Sequence, residues 1–387
     1  MSISHVEQCT NCGACVSVCP QAAVSVQTDA LFYRPSVDST RCTECGLCEK
    51  RCPVLHLPAA RQPLSAFRAV HHDDEVIWQS SSGGVFSALA EDIKQRGGIV
   101  FGAAYSEDCR AVRFACDEEV GLDALRRSKY TESLTGEAFA QIRAALEQGR
   151  EVLFCGAPCQ AAGLRSYLNR DYPNLIVCDF ICGGFPSHQM YEEYLTALEQ
   201  QYHAPVQSVN FRPKTFGWRE YAIHITFANG KEYSCQASLD PFFSAFLLHR
   251  WNIRENCLQC PFTDRHLSDL TLGDFWRSRS VTGEGDADKG VSLLLANTEK
   301  GKTAVSLLSS SMQIKDIPVD KVLYALKPHG TAAAYSDERR RFMEEYRRSG
   351  VVRAGKALAV VRGSAALKAR VRGAQRKRVA AALRRQK

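Results

Sequence analysis

Eight cysteines near the start of the chain fall into two runs of one spacing, Cys9-x2-Cys12-x2-Cys15-x3-Cys19-Pro20 and Cys42-x2-Cys45-x2-Cys48-x3-Cys52-Pro53. Thiolates at this spacing hold iron–sulfur cubanes, with the fourth cysteine of each run ligating the other cluster. Cys9, Cys12, Cys15 and Cys52 are therefore expected to hold one 4Fe–4S cluster, and Cys42, Cys45, Cys48 and Cys19 a second. Two cubanes so close make a relay for single electrons. Gly13 and Gly46 let each loop close around its cubane, and Pro20 and Pro53 keep the chain extended as it leaves. Zinc also favours Cys-x2-Cys pairs. A tetrahedral ion, however, has no use for a third cysteine two residues on and a fourth before proline, twice over. No secretory h-region precedes Cys9, so the chain reads as cytoplasmic, where thiols stay reduced.

Nine further cysteines lie beyond these runs. Cys257-x2-Cys260-Pro261 is the tight pair among them, and by spacing alone it suits a metal, redox chemistry or neither. Cys159 follows Gly156-Ala157-Pro158 just after a strand pattern, and Cys182 precedes Gly183-Gly184; both are places where backbone must approach something closely. Two loop cysteines and the pair make four thiolates, the complement of a third cluster. Cys155 and Cys178 precede two of these by four residues, so either could replace its neighbour. Cys109, Cys116 and Cys235 read as small buried hydrophobes.

The elements that must position these thiols follow from hydrophobic period. The chain's 387 residues have room for about two or three domains of roughly 150 residues. Apolar content of 45% is that of a globular core, and no apolar run approaches the roughly 20 residues of a membrane span. Residues 1–60 read as a small cluster-binding domain. Beyond them a helix carrying Val85, Phe86, Leu89 and Ile93 stops at Gly97-Gly98, and Ile99–Phe101 follows as a strand. Phe139, Ile142 and Leu146 repeat the helical pattern before the strand Val152–Phe154. Leu175–Val177 is another buried strand, Ser187 suits a helix cap, and Asn229-Gly230 turns a hairpin between Tyr221–Phe227 and Lys231–Cys235.

Charge is divided unevenly. Residues 339–387 carry 17 Lys and Arg against Glu344 and Glu345, which leaves 32 basic against 40 acidic residues in the rest. The tail reads as a cationic helix or a partly disordered arm. It suits a solvated extension, an anionic membrane surface or an acidic partner better than nucleic acid. Its removal is expected to leave bound cofactors in place.

Six strings in order carry a family resemblance: Gln79-Ser80-Ser81-Ser82-Gly83-Gly84, Arg127-Ser128-Lys129-Tyr130, Gly156-Ala157-Pro158-Cys159-Gln160, Cys182-Gly183-Gly184, Cys257-x2-Cys260-Pro261 and Asp269–Trp276. Together they resemble the coenzyme F420 hydrogenase/dehydrogenase beta-subunit family, over about residues 60–330, with a ferredoxin domain in front. The resemblance implies an iron–sulfur flavoprotein oxidoreductase with FAD beside a 4Fe–4S cluster. It places the cluster ligands at Cys159, Cys182, Cys257 and Cys260, and the flavin contacts around Ser81, Ser82, Gly83, Gly84, Ser128, Lys129 and Tyr130. A Ser-Ser-Gly-Gly turn opening a helix suits a phosphate, and Lys129 would favour an anionic reduced flavin. Gly183 and Ala157 stand where many relatives carry His and Thr, which leaves His188 and His224 as candidate proton donors. The implied acceptor is F420, a chlorophyll-like pigment or a sugar- or lipid-linked intermediate of polysaccharide biosynthesis; the electron partner is a protein such as ferredoxin.

The fold expected is thus α+β to α/β. A ferredoxin-type domain over 1–60 precedes a mixed α/β flavin and 4Fe–4S domain over 61–335, and the basic tail over 336–387 is helical or disordered by composition. The alternative function is an electron-transfer subunit that relays to a partner enzyme. Cytoplasmic placement, with the tail at the inner membrane face, fits either.

Overall fold

Every position of Val152-Leu153-Phe154 is apolar and fully buried, the habit of a parallel strand covered on both faces. In the computed structural model, which describes residues 3, 6–326 and 336–385, this run lies within a nine-stranded mixed sheet. Strands β1 (Val24–Asp29) and β2 (Phe32–Val37) form a separate antiparallel ribbon in the cysteine-rich part. The large sheet takes β3 (Ser65–His71), β4 (Ile99–Tyr105), β5 (Val112–Cys116), β6 (Ser133–Leu134), β7 (Val152–Cys155) and β8 (Leu175–Phe180). Next come β9 (Val206–Phe211), β10 (Ala222–Phe227) and β11 (Glu232–Gln236), a three-stranded antiparallel sheet. Finally β12 (Leu270–Asp274), β13 (Ser292–Ala296) and β14 (Met312–Ile317) complete the large sheet in the order β14-β3-β13-β12-β8-β7-β4-β5-β6.

The four central strands β12, β8, β7 and β4 run parallel. Alternation along β7 divides the two cores. Leu153 packs with Val85, Leu89 and Ile93 of the helix Val85–Gln95, while Val152 and Phe154 pack with Phe139, Ile142 and Leu164 on the other face. The hairpin forms at Asn229-Gly230, where Gly230 takes φ +78° and the Asn229 carboxamide oxygen accepts from Lys231 N. Ser187 caps His188–Tyr202 by accepting from Met190 N at 3.2 Å.

The tail is mostly helical over its described residues and lies on the body. From Asp337–Ser349, Phe342 and Tyr346 enter the core that also holds Tyr194, Phe242 and Trp251. The following Val351 and Ala354 are buried as well. Helix Gly363–Arg385 is pinned where Arg376 pairs with Asp288 at 2.7 Å and Gln236 Nε2 donates to Ala369 O at 3.0 Å. Cutting at 337 would expose the core, so the expectation that cofactors stay bound applies to removal of the last helix, at the loss of those two contacts. Among the described residues no helix is long and apolar enough to cross a membrane.

Candidate functional site

The two cysteine runs fold with one repeated backbone. Asn11 and Glu44 are left-handed, as are Gly13 and Gly46 two residues later, and the short helices Ala14–Val18 and Leu47–Lys50 follow. Cys9, Cys12, Cys15 and Cys52 line one enclosed cavity, while Cys19 lies with Cys48. Cys45, from the second run, is exposed. Backbone amides aim at sulfur: Asn11 N donates to Cys9 Sγ at 3.4 Å and Ala23 N to Cys19 Sγ at 3.3 Å. Such donors stabilise a thiolate or a cluster-bound sulfur, so the donor set fits iron–sulfur ligation.

The paired glycines differ in surroundings. A Cβ at Gly46 meets nothing within 4 Å, whereas one at Gly13 would sit 1.8 Å from Thr135 Oγ1 on the main body. Gly46→Ala is therefore expected to cost only the left-handed strain, about 1–2 kcal/mol. Gly13→Ala adds an overpacking cost of about 1–3 kcal/mol. Urea midpoints of the two variants check the order; equal losses would contradict it.

The second set of thiols converges through strand register. Cys155, the last residue of β7, pairs with Cys178, two residues before the end of β8. Four residues past each, Cys159 and Cys182 emerge at the same end of the sheet. Cys257 and Cys260 reach them from the short turn Glu255–Gln259, and Cys159 lies within electrostatic reach of Cys260, Cys182 and Cys257. Burial pushes the Cys257 thiol up to about 12 and that of Cys182 to about 11, with Cys159 raised further in direction. Gly184 N donates to Cys182 Sγ at 3.4 Å. Cys178 Sγ instead donates to Asp179 O at 3.6 Å inside the sheet, with Cys155 as its register partner on β7. Ala157, Ala162, Phe262 and Leu267 wall the four-thiol group. Among the described residues no three His, Cys, Asp or Glu side chains are arranged to hold a single metal ion.

This group adjoins the first run. Helix Pro158–Leu168 carries Cys159 and, one turn later, Gly163; a Cβ on Gly163 would lie 2.8 Å from Cys12 O and 3.2 Å from Cys12 Sγ. Cys12 also stands within electrostatic reach of Cys159. Three thiol groups therefore succeed one another from the exposed Cys45 inward.

The two Ser- and Lys-bearing strings are brought together. Ser128 N donates to Ser81 Oγ at 3.0 Å, and Arg127 Nε donates to Gln79 O at 2.9 Å. Ser82 Oγ donates to Val291 O rather than capping the helix, and Gly83 N donates to Ser292 Oγ. The helix Val85–Gln95 starts at Gly84, φ +94°, with no side-chain cap. Its open first turn fits an anionic group. Tyr130 packs on Phe211, Phe243 and Phe246.

Lys129 Nζ donates to Arg126 O at 2.7 Å, and burial of its ammonium, aided by Arg127, lowers its pKa to about 7. Because the unfolded chain holds this proton up to about 10.4, it binds more protons than the fold between about pH 7 and 10. The Lys129 contribution to stability must rise with pH across that window, against the opposite slope from thiols that burial raises. Urea unfolding should show the difference in stability between wild type and Lys129→Met shifting in favour of wild type as pH rises from about 7 to 10; a pH-independent difference would refute the assignment.

Sequence reasoning missed two buried ion pairs. Arg212 donates to Asp274 at 2.6 and 3.2 Å under the stacked Trp218–Trp276 rings, with Tyr221 OH also donating to Asp274. Arg254 pairs with Glu132 where the ferredoxin-like part meets the body. His188 stacks on Tyr33 at 3.7 Å and approaches Glu132, whereas His224 lies near Glu232 on the small sheet. Neither pair leaves a local signal, since each joins residues more than sixty positions apart.

Comparison with known proteins agrees with this division. Residues 149–321 match the family described as the C terminus of the coenzyme F420 hydrogenase/dehydrogenase beta subunit, and residues 8–55 match the 4Fe-4S dicluster domain. No curated protein matches the chain. Among solved structures, a chain from the xenon-derivatised F420-reducing nickel–iron hydrogenase complex of Methanosarcina barkeri is similar at 15% identity. The match covers 74% of this chain and 95% of that one, with a TM-score of 0.48, too distant a likeness to transfer residue roles.

Proposed function

We propose that the chain is an iron–sulfur flavoprotein oxidoreductase, since residues 149–321 match the C terminus of the coenzyme F420 hydrogenase/dehydrogenase beta subunit and residues 8–55 the 4Fe-4S dicluster domain. It passes electrons from ferredoxin-type clusters to FAD and on to an organic acceptor. The observation that carries this reading is the approach of the Gly163 helix to Cys12, which sets the third thiol group against the first. The eight cysteines of the two runs would hold two clusters, and Cys159, Cys182, Cys257 and Cys260 a third. Ser81, Ser82, Gly83, Gly84, Ser128, Lys129 and Tyr130 would seat FAD, which when bound converts one-electron into two-electron chemistry.

The chain's own groups supply the rest. Exposed Cys45 brings the outermost group to the surface, where a donor protein such as ferredoxin reaches it. Phe262 and Leu267 exclude water from the third group. The open first turn at Val85 binds anionic oxygens, and Lys129 Nζ holds or yields a proton beside them. Lys368, Arg372 and Arg378 are exposed on the last helix and suit an acidic partner or an anionic membrane face in the cytoplasm. For the acceptor we favour a sugar- or lipid-linked glycan intermediate, the class implied by resemblance to exopolysaccharide-associated relatives.

Anaerobic purification with metal, sulfide and flavin quantitation tests the reading. It predicts about twelve irons, in three cubanes of four, with one FAD per chain; zinc in place of iron, or iron without flavin, would overturn it. A second reading, favoured by the matched family's description as a beta subunit, is a relay that delivers electrons only to a partner enzyme. Reduced ferredoxin should then reduce that partner and no small molecule.

A further inference from the structure

We propose that Arg254, clamped by Glu132, is the positioning residue that sets two reduction potentials together, at the Cys9/Cys12/Cys15/Cys52 cluster and at the Cys159/Cys182/Cys257/Cys260 cluster. The proposal rests on the cluster reading above.

Arg254 touches both sites through its covalent frame and its charge. Its carbonyl accepts from Cys257 N at 3.0 Å and its own N donates to Phe185 O at 2.9 Å, which ties it to the third group. Its guanidinium donates to Cys9 O at 3.4 Å and to Tyr33 O, which ties it to the first. Glu132 receives the other charge-assisted bond, and Asn11 Nδ2 donates to the same carboxylate at 3.4 Å. Arg254 and Glu132 are 2% and 1% exposed. Among the described residues Arg254 Nε has no acceptor, so one N–H remains available for a cluster or thiolate sulfur.

A buried ion pair is a weak fastener, because desolvation consumes most of its Coulombic gain. Docking alone would be served as well by apolar side chains. Charge has a direct use here, since each cluster gains one negative charge on reduction, and a fixed cation in a medium of low dielectric stabilises that charge. Arg254 is placed to act in this sense at both sites, through its guanidinium bond to Cys9 O at 3.4 Å and its carbonyl's bond from Cys257 N at 3.0 Å. Glu132 offsets part of the cation. Arg250 is the internal control: it donates to Gly183 O at 2.7 Å and lies by Cys182, Cys257 and Cys260, all in the third group.

The test is an EPR-monitored redox titration of the full-length, iron-replete protein and its variants. Arg254→Gln should lower the potentials of both clusters, each by at least tenfold in the reduction equilibrium, about 59 mV for a one-electron couple. Glu132→Gln should raise both, and Arg250→Gln should lower the third alone. Unchanged potentials in iron-replete Arg254→Gln, or shifts of one sign in the Arg254 and Glu132 variants, would overturn the bridge. If Arg254→Gln loses iron, Arg254→Lys (potentials held) and Glu132→Gln (potentials raised) decide it. A wild-type protein without these iron signals defeats the cluster reading itself, a result separate from equal potentials in loaded variants.

Discussion

Cys257→Ser should leave about eight irons of twelve, because one cubane loses a ligand and two keep all of theirs. Serine matches cysteine in shape, and the site leaves little room for anything larger: a Cβ on Gly184 would already lie 3.0 Å from Cys257 Cβ. The turn Glu255–Gln259 is held by the bond from Cys257 N to Arg254 O, which the substitution does not touch. The fold and the Cys9/Cys12/Cys15/Cys52 cavity should persist, so the lost iron comes from the inner group alone. Flavin retention should weaken as well, since the loop bearing Cys159 begins at Cys155, within electrostatic reach of Lys129. Iron and sulfide analysis with EPR spin counting checks this. A full complement of iron would remove Cys257 from the ligand set; loss of all iron would mean that the three groups do not assemble independently.

Gly163→Val is expected to keep the iron and slow the electrons. Position 163 faces Cys12 one helical turn after Cys159, so the contact is helix backbone against cluster loop. A valine there needs space already taken by Cys12 O at 2.8 Å and Cys12 Cβ at 3.0 Å from the first added carbon. The helix must back away, at an overpacking cost of about 1–3 kcal/mol. No ligand is removed, so iron content and flavin should match wild type. Stopped-flow reduction by dithionite-reduced ferredoxin should show the two N-terminal clusters reduced at the normal rate and the third group delayed. Unchanged kinetics in an iron-replete variant would mean that electrons do not pass from the first group to the third at this contact.

What was legible before the fold was known is local in origin. Cluster ligation works through a few residues of backbone, so the doubled cysteine run, its left-handed glycines and the prolines that end it can be read from spacing. The same holds for Val152–Phe154, whose unbroken apolar run reports cover on both faces, and for the Asn229-Gly230 turn. The four-thiol grouping was legible too, with Cys155 and Cys178 left as rivals. Register resolves their placement, because paired positions on neighbouring parallel strands face each other while residues four steps on leave the sheet together.

Residue type and spacing alone therefore determined that this chain gathers thiols for electron chemistry in front of a mixed α/β body. Only the tertiary structure decided that the basic tail is a helix laid on that body. It also decided that Gly163 yields its side-chain space to Cys12, and that Glu132, Arg254 and Arg212 lie buried beside the candidate sites. Side chains more than sixty positions apart meet through packing of separate elements, and no periodicity in the chain records which buried charge will answer which.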